Sequence, residues 1–396
     1  VAFYSFFFSQ HLKLEKSALY LKDQSVLPAD TASFFNDLVL PKEQAGTGGT
    51  GQGSAFLLLH HPPARLLTAV WKPFSDESTA RRHAVATLTA SAGALTVVLL
   101  YLTLMWSGVG RLRAALVAGI LGGSTAMSLI AVFPLPQVFS ALGLMAVLAA
   151  VARGRSGRSW EFPLAAAYAL GCSPWNAVPV VLIGLVSGLR AFRGGGGVRP
   201  LIGLLGGALV LALLVLAAMK TQAWLYPHTA MTLPALVDSW QETFARAFTP
   251  VTSADGGEEA RGPVLTVIHG PVFANVLRRL VDPTDASWAV PEAWALLLLL
   301  ALIGLLGAIR RAPVPIVAAL LSWAWHLWFH GTPLAFMACL PGTPFLIFLV
   351  GIGMEQYGKW RARLRWPVTC LLTVFLILLF VHNAPFIDAL AKPQKL

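Results

Sequence analysis

Charge is scarce in this 396-residue chain: Asp, Glu, Lys and Arg make up 12% of it, against 56% hydrophobic residues and a mean hydropathy of +0.69. A soluble core of this size cannot hide so much apolar surface, so a soluble cytosolic enzyme is excluded and an integral membrane protein is implied. Cysteine is rarer still. Cys172, Cys339 and Cys370 all fall in apolar stretches, with no Cys-x-x-Cys pair and no partner at metal-ligand spacing, and they read as packing residues. No Lys, Arg, Asp or Glu falls near the middle of an apolar run, and there is no inverted pair of broken helices. A coupling ion or proton needs a ligand inside the bilayer, so both absences count against a pump or symporter. The glycine-rich AGTGGTGQGS (45–54) lacks the terminal Gly-Lys-Ser/Thr of a phosphate loop and reads as a flexible linker.

What charge there is has a pattern. Five short loops carry Arg111 and Arg113; Arg153, Arg155 and Arg158; Arg190, Arg193 and Arg199; Arg310 and Arg311; and Lys359, Arg361, Arg363 and Arg365. They hold fourteen of the 29 basic residues and only two of the 18 acids, Glu161 and Glu355, which leaves 15 bases against 16 acids elsewhere. The formal net charge of +11 is therefore a topology signal, the positive-inside bias, and not a nucleic-acid surface.

Apolar runs long enough to cross a bilayer lie near 86–106, 114–133, 135–152, 200–219, 291–309, 312–329, 334–353 and 366–384. The run 162–192 is too long for one crossing and is interrupted by GCSPWNAVP (171–179), so it predicts a helical hairpin. The result is an all-α polytopic protein with ten crossings after residue 85, and the basic loops occupy every second connection. VAFYSFFF at the start adds the outer end of a further helix, for ten to eleven in all, or an interfacial anchor; no basic n-region or Ala-x-Ala site marks a cleavable signal peptide. The expected organisation is a first helix or anchor (1–9), a first outer loop (10–85), membrane helices (86–219), a second outer loop (220–290), membrane helices (291–384) and an outer C-terminal tail (385–396). With the basic loops in the cytoplasm, the C-terminus lies on the periplasmic side. The arginine-, alanine- and glycine-rich composition, without an Asn-x-Ser/Thr site, favours a bacterial inner membrane.

The outer loops have their own local order. A helix near 14–21 ends before Pro28, and DTASFFNDLVL (30–40) predicts a second short helix with Asp30 as N-cap. FLLLHHPPARLLTAVWKPF (56–74) mixes apolar and basic residues without the length to cross, as an interfacial element does, with Pro62 and Pro63 expected to stop a helix and Trp71 at headgroup level. PALVDSWQETFARAF (234–248) predicts another surface helix, and TSADGGEEARG (252–262) an acidic turn. The outer acids Asp23, Asp30, Asp37, Asp76 and Glu77 are the candidates for chemistry, each also readable as a solvated surface charge. His326 and His330, among Trp323, Trp325 and Trp328, read first as belt residues.

Taken together, ADTASFFNDLV (29–39), HHPPARLL (60–67), FPLPQVFSALGLMAVLAAVARGR (133–155), LAAAYALGCSPWNAVPVVLIGLVSGLRAFR (164–193) and TPLAFMACLPGTPFLIFLVG (332–351) resemble the GT-C superfamily of polytopic glycosyltransferases, which includes protein O-mannosyltransferases and aminoarabinose transferases. The resemblance implies a sugar donor carried on a polyprenyl phosphate and an inverting transfer to an acceptor on the outer side of the membrane. It implies Asp30 as general base, with Asp37 a second acid. His60, His61, Arg65 and Lys72 are the nearest candidates to meet the lipid phosphate, with Arg278, Arg279 and His330 more distant. The fold leaves room for a divalent cation as cofactor, although no ligand cluster demands one. The expected partners are the polyprenyl-phosphate-linked sugar, membrane lipids and protein partners in the membrane, with no nucleic acid. The alternative is a catalytically inactive relative serving as a membrane subunit or lipid-binding scaffold.

Overall fold

The computed structural model describes residues 1–14, 31–41, 55–132, 135–153, 160–193, 199–229, 289–309, 313–328 and 340–391, and within these the apolar runs are mostly helical. No strand occurs among the described residues. The helices are α1 (Ala2–Leu14), α2 (Thr31–Val39), α3 (Phe56–Trp71), α4 (Glu77–Trp106), α5 (Arg111–Gly123), α6 (Thr125–Val132), α7 (Gln137–Arg153), α8 (Glu161–Cys172), α9 (Ala177–Arg193), α10 (Arg199–Leu225), α11 (Ala289–Ala308), α12 (Pro313–Trp328), α13 (Thr343–Trp360) and α14 (Arg365–Ala391). Asp30, Arg278, Arg279, His330, the helices expected near 14–21 and at 234–248, the linker 45–54 and the turn 252–262 lie outside the described residues.

Among the described residues, three segments are long and apolar enough to cross a membrane unaided: Glu77–Trp106, Gly206–Leu225 and Ala362–Val381. The run expected at 114–133 is not straight. It breaks between α5 and α6 with a 61° bend, and the two pieces together make a fourth candidate span. Ser124 explains the break: its backbone is extended, its hydroxyl donates to Leu121 O at 2.7 Å, and the same oxygen accepts from Met127 N at 3.2 Å. One side chain thus ends α5 and caps α6. The hairpin expected at 162–192 is present. Ser173 turns the chain out of α8, a 3-10 turn covers Pro174–Asn176, and Asn176 Nδ2 donates back to Ala169 O at 2.7 Å.

The expectation that Pro62 and Pro63 stop a helix is overturned, since both lie inside α3. Proline's fixed φ suits a helix; what it removes is an amide donor. Pro62 lies on the exposed side of α3. The opposite face, with Phe56, Leu57, His60, His61, Ala64 and Thr68, is buried and holds the helix in place.

Close backbone approach brings the bundle together. A side chain at Gly304 of α11 would strike the backbone of Gly353 in α13, and one at Gly353 would strike Ala301. Gly122, at the end of α5, makes room for the Phe3 ring of α1, which packs mainly along α4. Phe7, Leu100, Leu104, Val117, Leu144, Phe345 and Phe348 fill the interior between these contacts.

Three of the five basic loops meet at one end. Arg153 lies over the Trp106 ring at 5.6 Å, and Lys359 Nζ donates to Gly108 O at 3.3 Å. Arg113 Nη1 lies 2.7 Å from Glu355 Oε2 with both side chains buried, an ion pair whose geometry departs from a linear hydrogen bond. Glu355 also accepts from Gly110 N at 3.3 Å and pairs with Lys359 at 3.4 Å. Arg113 and Glu355, counted in the sequence as topology signals, are therefore also an internal clamp between α5 and α13.

Candidate functional site

At the end of the bundle opposite this clamp, α3 is the element on which the others converge. Its first residue follows Ala55, whose amide donates to Gly171 O at the end of α8, 3.1 Å away. Phe56 packs on Phe34 of α2 and Phe139 of α7, with ring centroids 5.5 and 5.6 Å apart. The short helix α2 is thereby seated with Phe34 and Leu38 at 1% and 0% exposure. Asp37 is in this layer and is fully buried.

His60 and His61 point to different partners. His60 Nδ1 lies 2.9 Å from Phe56 O, and its Nε2 3.2 Å from the Tyr168 hydroxyl of α8. A carbonyl only accepts, so Nδ1 carries the proton and Tyr168 donates to Nε2. His61 Nε2 donates to Leu40 O at 2.9 Å, and its Nδ1 lies 2.9 Å from the Tyr226 hydroxyl. Burial lowers the pKa of His60 from 6.5 to about 4, despite the opposing effect of the Phe56 carbonyl. Burial also raises the pKa of Tyr226, which keeps its hydroxyl protonated as a donor.

Beyond His61 the network continues into the end of α10. Gln222 Oε1 accepts from Leu58 N at 3.1 Å, while its Nε2 donates to Thr229 Oγ1 at 3.3 Å. Arg65, one turn after His61, donates from Nη1 to Val39 O at 3.3 Å. The end of α2 is thus held by two side chains of α3, and the end of α10 by a backbone amide and a ring of the same helix.

The exposed rim follows α3. Lys72 Nζ lies 3.4 Å from Glu77 Oε2, and Arg81 Nη2 lies 2.6 Å from Glu77 Oε1. A hydrogen bond from Lys72, its charge and that of Arg81 hold the Glu77 carboxyl below the usual range. Asp76 is the N-cap of α4, accepting from Thr79 N at 3.1 Å and from the Ser78 hydroxyl. Those bonds, Ser78 first, hold its carboxyl well below the ordinary carboxylate range. Asp76 and Glu77 therefore have structural work at the start of α4.

Of the residues singled out by sequence, the structure brings Asp37, His60, His61 and Arg65 to the α2–α3 junction and Lys72 to its rim. Tyr168, Gln222, Tyr226 and Thr229 were not singled out. The spacing of Gln222 and Tyr226, one turn apart just ahead of Pro227, is the signal that could have marked them. Among the described residues, no group of three or more His, Cys, Asp or Glu is placed to hold a metal ion.

No protein-family model matches the chain, and no curated protein matches it in sequence. A solved structure does: ArnT from Cupriavidus metallidurans in its apo state, 14% identical, covering 98% of this chain and 76% of that one with a TM-score of 0.50. The chain has a fold like that of ArnT. At that identity the likeness concerns the fold alone. It extends over nearly the whole chain, so the apolar helices, the bent pair and the α8–α9 hairpin belong to one membrane architecture.

Proposed function

We propose that the chain is a GT-C-type membrane glycosyltransferase that moves a sugar from a polyprenyl phosphate to an acceptor on the outer, periplasmic side of a bacterial inner membrane, with ten to eleven crossings and the C-terminus outside. The observation that carries the reading is the likeness to ArnT, an aminoarabinose transferase of GT-C type, over 98% of this chain. Substrate transfer of this kind is one of the activities the sequence resemblance implies.

In the proposed reaction Asp30, the residue before α2, takes the proton of an acceptor hydroxyl as that oxygen attacks the anomeric carbon. The new C–O bond forms as the bond from that carbon to the phosphate oxygen breaks, so the configuration inverts and polyprenyl phosphate leaves with the bonding pair. Arg65 and Lys72, both exposed cations, meet the charge growing on the leaving phosphate. His60 and His61 act as supports that fix α3 and the end of α2, a role that suits rings whose nitrogens are both engaged. Arg278, Arg279, His330 and Asp37 stay in the proposal as further polar groups of the site.

A transfer assay with lipid-linked sugar donors, comparing wild type with Asp30→Asn, tests the assignment of the base. Loss of a proton acceptor of this kind costs roughly 100- to 10,000-fold in rate. Activity that survives the change rules out Asp30 as base. A second reading, an inactive membrane subunit, is favoured by the complete burial of Asp37 beside α3; it predicts no transfer by either protein.

A further inference from the structure

The face of α3 turned away from the bundle is not finished as a protein surface. Pro62, Leu66, Ala69 and Val70 recur at helical spacing and are all exposed, Leu66 at 67% and Val70 at 54%, and Phe74 just beyond is 79% exposed. Apolar side chains gathered in one stripe on a helix whose other face is packed need a second apolar phase. α3 contains no acid, and its stripe is flanked by two exposed cations, Arg65 and Lys72. From residue 65 to 82 the bases are Arg65, Lys72, Arg81 and Arg82, and the acids only Asp76 and Glu77. Both acids have internal partners, Asp76 in the cap of α4 and Glu77 between Lys72 and Arg81. The 30-residue apolar helix α4 starts six residues after Trp71, so the stripe lies beside the entrance of a membrane span.

We propose that the exposed face of α3 is a docking surface for anionic phospholipid, with the helix lying in the plane of the leaflet, its apolar stripe among the upper acyl carbons and Arg65 and Lys72 on lipid phosphates. Charge complementarity selects this occupant: an apolar stripe with a net positive margin matches a negatively charged headgroup layer. The prolines fit the same geometry. A helix in the interface has water and headgroups at hand for the carbonyls that Pro62 and Pro63 leave open, whereas a helix crossing the bilayer core does not. The inference rests on the membrane placement of the chain and not on the transferase reading; none of its tests measures transfer, so the two fail separately.

The test uses the full chain in phosphatidylcholine nanodiscs with and without phosphatidylglycerol. Spin labels are attached at Leu66→Cys, Ala69→Cys, Val70→Cys and, as a water-exposed control, Ser78→Cys, with Cys172, Cys339 and Cys370 changed to Ala. Collision with oxygen should exceed collision with a water-soluble nickel chelate at 66, 69 and 70 and fall below it at 78. Phosphatidylglycerol should carry the three α3 labels deeper, and the R65Q/K72Q pair should remove that increment. Labels that behave like Ser78→Cys, labels shielded from both probes, or a depth indifferent to phosphatidylglycerol would each overturn the proposal; shielding would point to a protein cover. A shift reproduced by inorganic phosphate in phosphatidylcholine alone overturns it as well, because the headgroup would then not be the source. Should the cysteine changes prevent folding, the unlabelled wild type and R65Q/K72Q are compared for phosphatidylglycerol retained through purification. The proposal predicts less in the variant, and equal retention contradicts it.

Discussion

His60 is the residue whose chemistry is most constrained. Its ring bridges Phe56 O and Tyr168 as a neutral imidazole, and burial holds its pKa near 4 against an ordinary 6.5. The unfolded chain therefore binds a proton between those values that the folded chain does not. Stability should fall as pH drops through that window and level off below it, by up to roughly 3 kcal/mol for this group. Melting curves in detergent at a series of pH values check this: His60→Gln should have a shallower slope between pH 6.5 and about 4 than wild type, and parallel slopes would contradict the assignment. At the other end of the bundle, Glu355 and Arg113 form a pair with side chains 9% and 6% exposed. Removing one partner strands a buried charge, so Glu355→Leu should cost about 3–5 kcal/mol, while E355L/R113M should recover much of it. Thermal unfolding of the three proteins decides, and equal losses in single and double variants would deny the pairing.

At the scale of the helix, the crossing of α11 and α13 depends on glycine for space, not for flexibility. Gly353→Leu would drive a side chain into the Ala301 backbone and should destabilise by about 1–3 kcal/mol or more, seen as a lowered melting temperature in detergent. A wild-type melting temperature would show that the helices are further apart. Elements governed by local chemistry were legible in the sequence. The α8–α9 turn follows from Pro174 and Pro179, and α2 from the stretch DTASFFNDLVL (30–40). Elements governed by tertiary contacts were not. Nothing local announces that α3 continues through Pro62 and Pro63, because its support comes from Tyr168, Gln222 and Tyr226, each more than a hundred residues away. The bend between α5 and α6 was missed for a different reason. An apolar count over 114–133 does not register one serine that ends one helix and starts the next. For the candidate site, the sequence located the histidine pair and the flanking cations, but their tautomers and partners depend on helices that only the fold brings near.

For the whole molecule, one end of the bundle is closed by basic loops and the Arg113–Glu355 pair, while the other gathers α2, α3 and the end of α10 around His60 and His61. Only 6% of the apolar stretch Gly206–Leu225 in α10 is buried, against 50% for that of α4, as fits a helix with one side bordered by lipid. The most direct test is to place the purified chain in bilayers with a polyprenyl-phosphate-linked sugar and an acceptor extract, and to follow both halves of the donor by mass spectrometry. The account predicts free polyprenyl phosphate in step with sugar on the acceptor, joined with inverted configuration. Donor that stays intact, or sugar transferred with retained configuration, would contradict it.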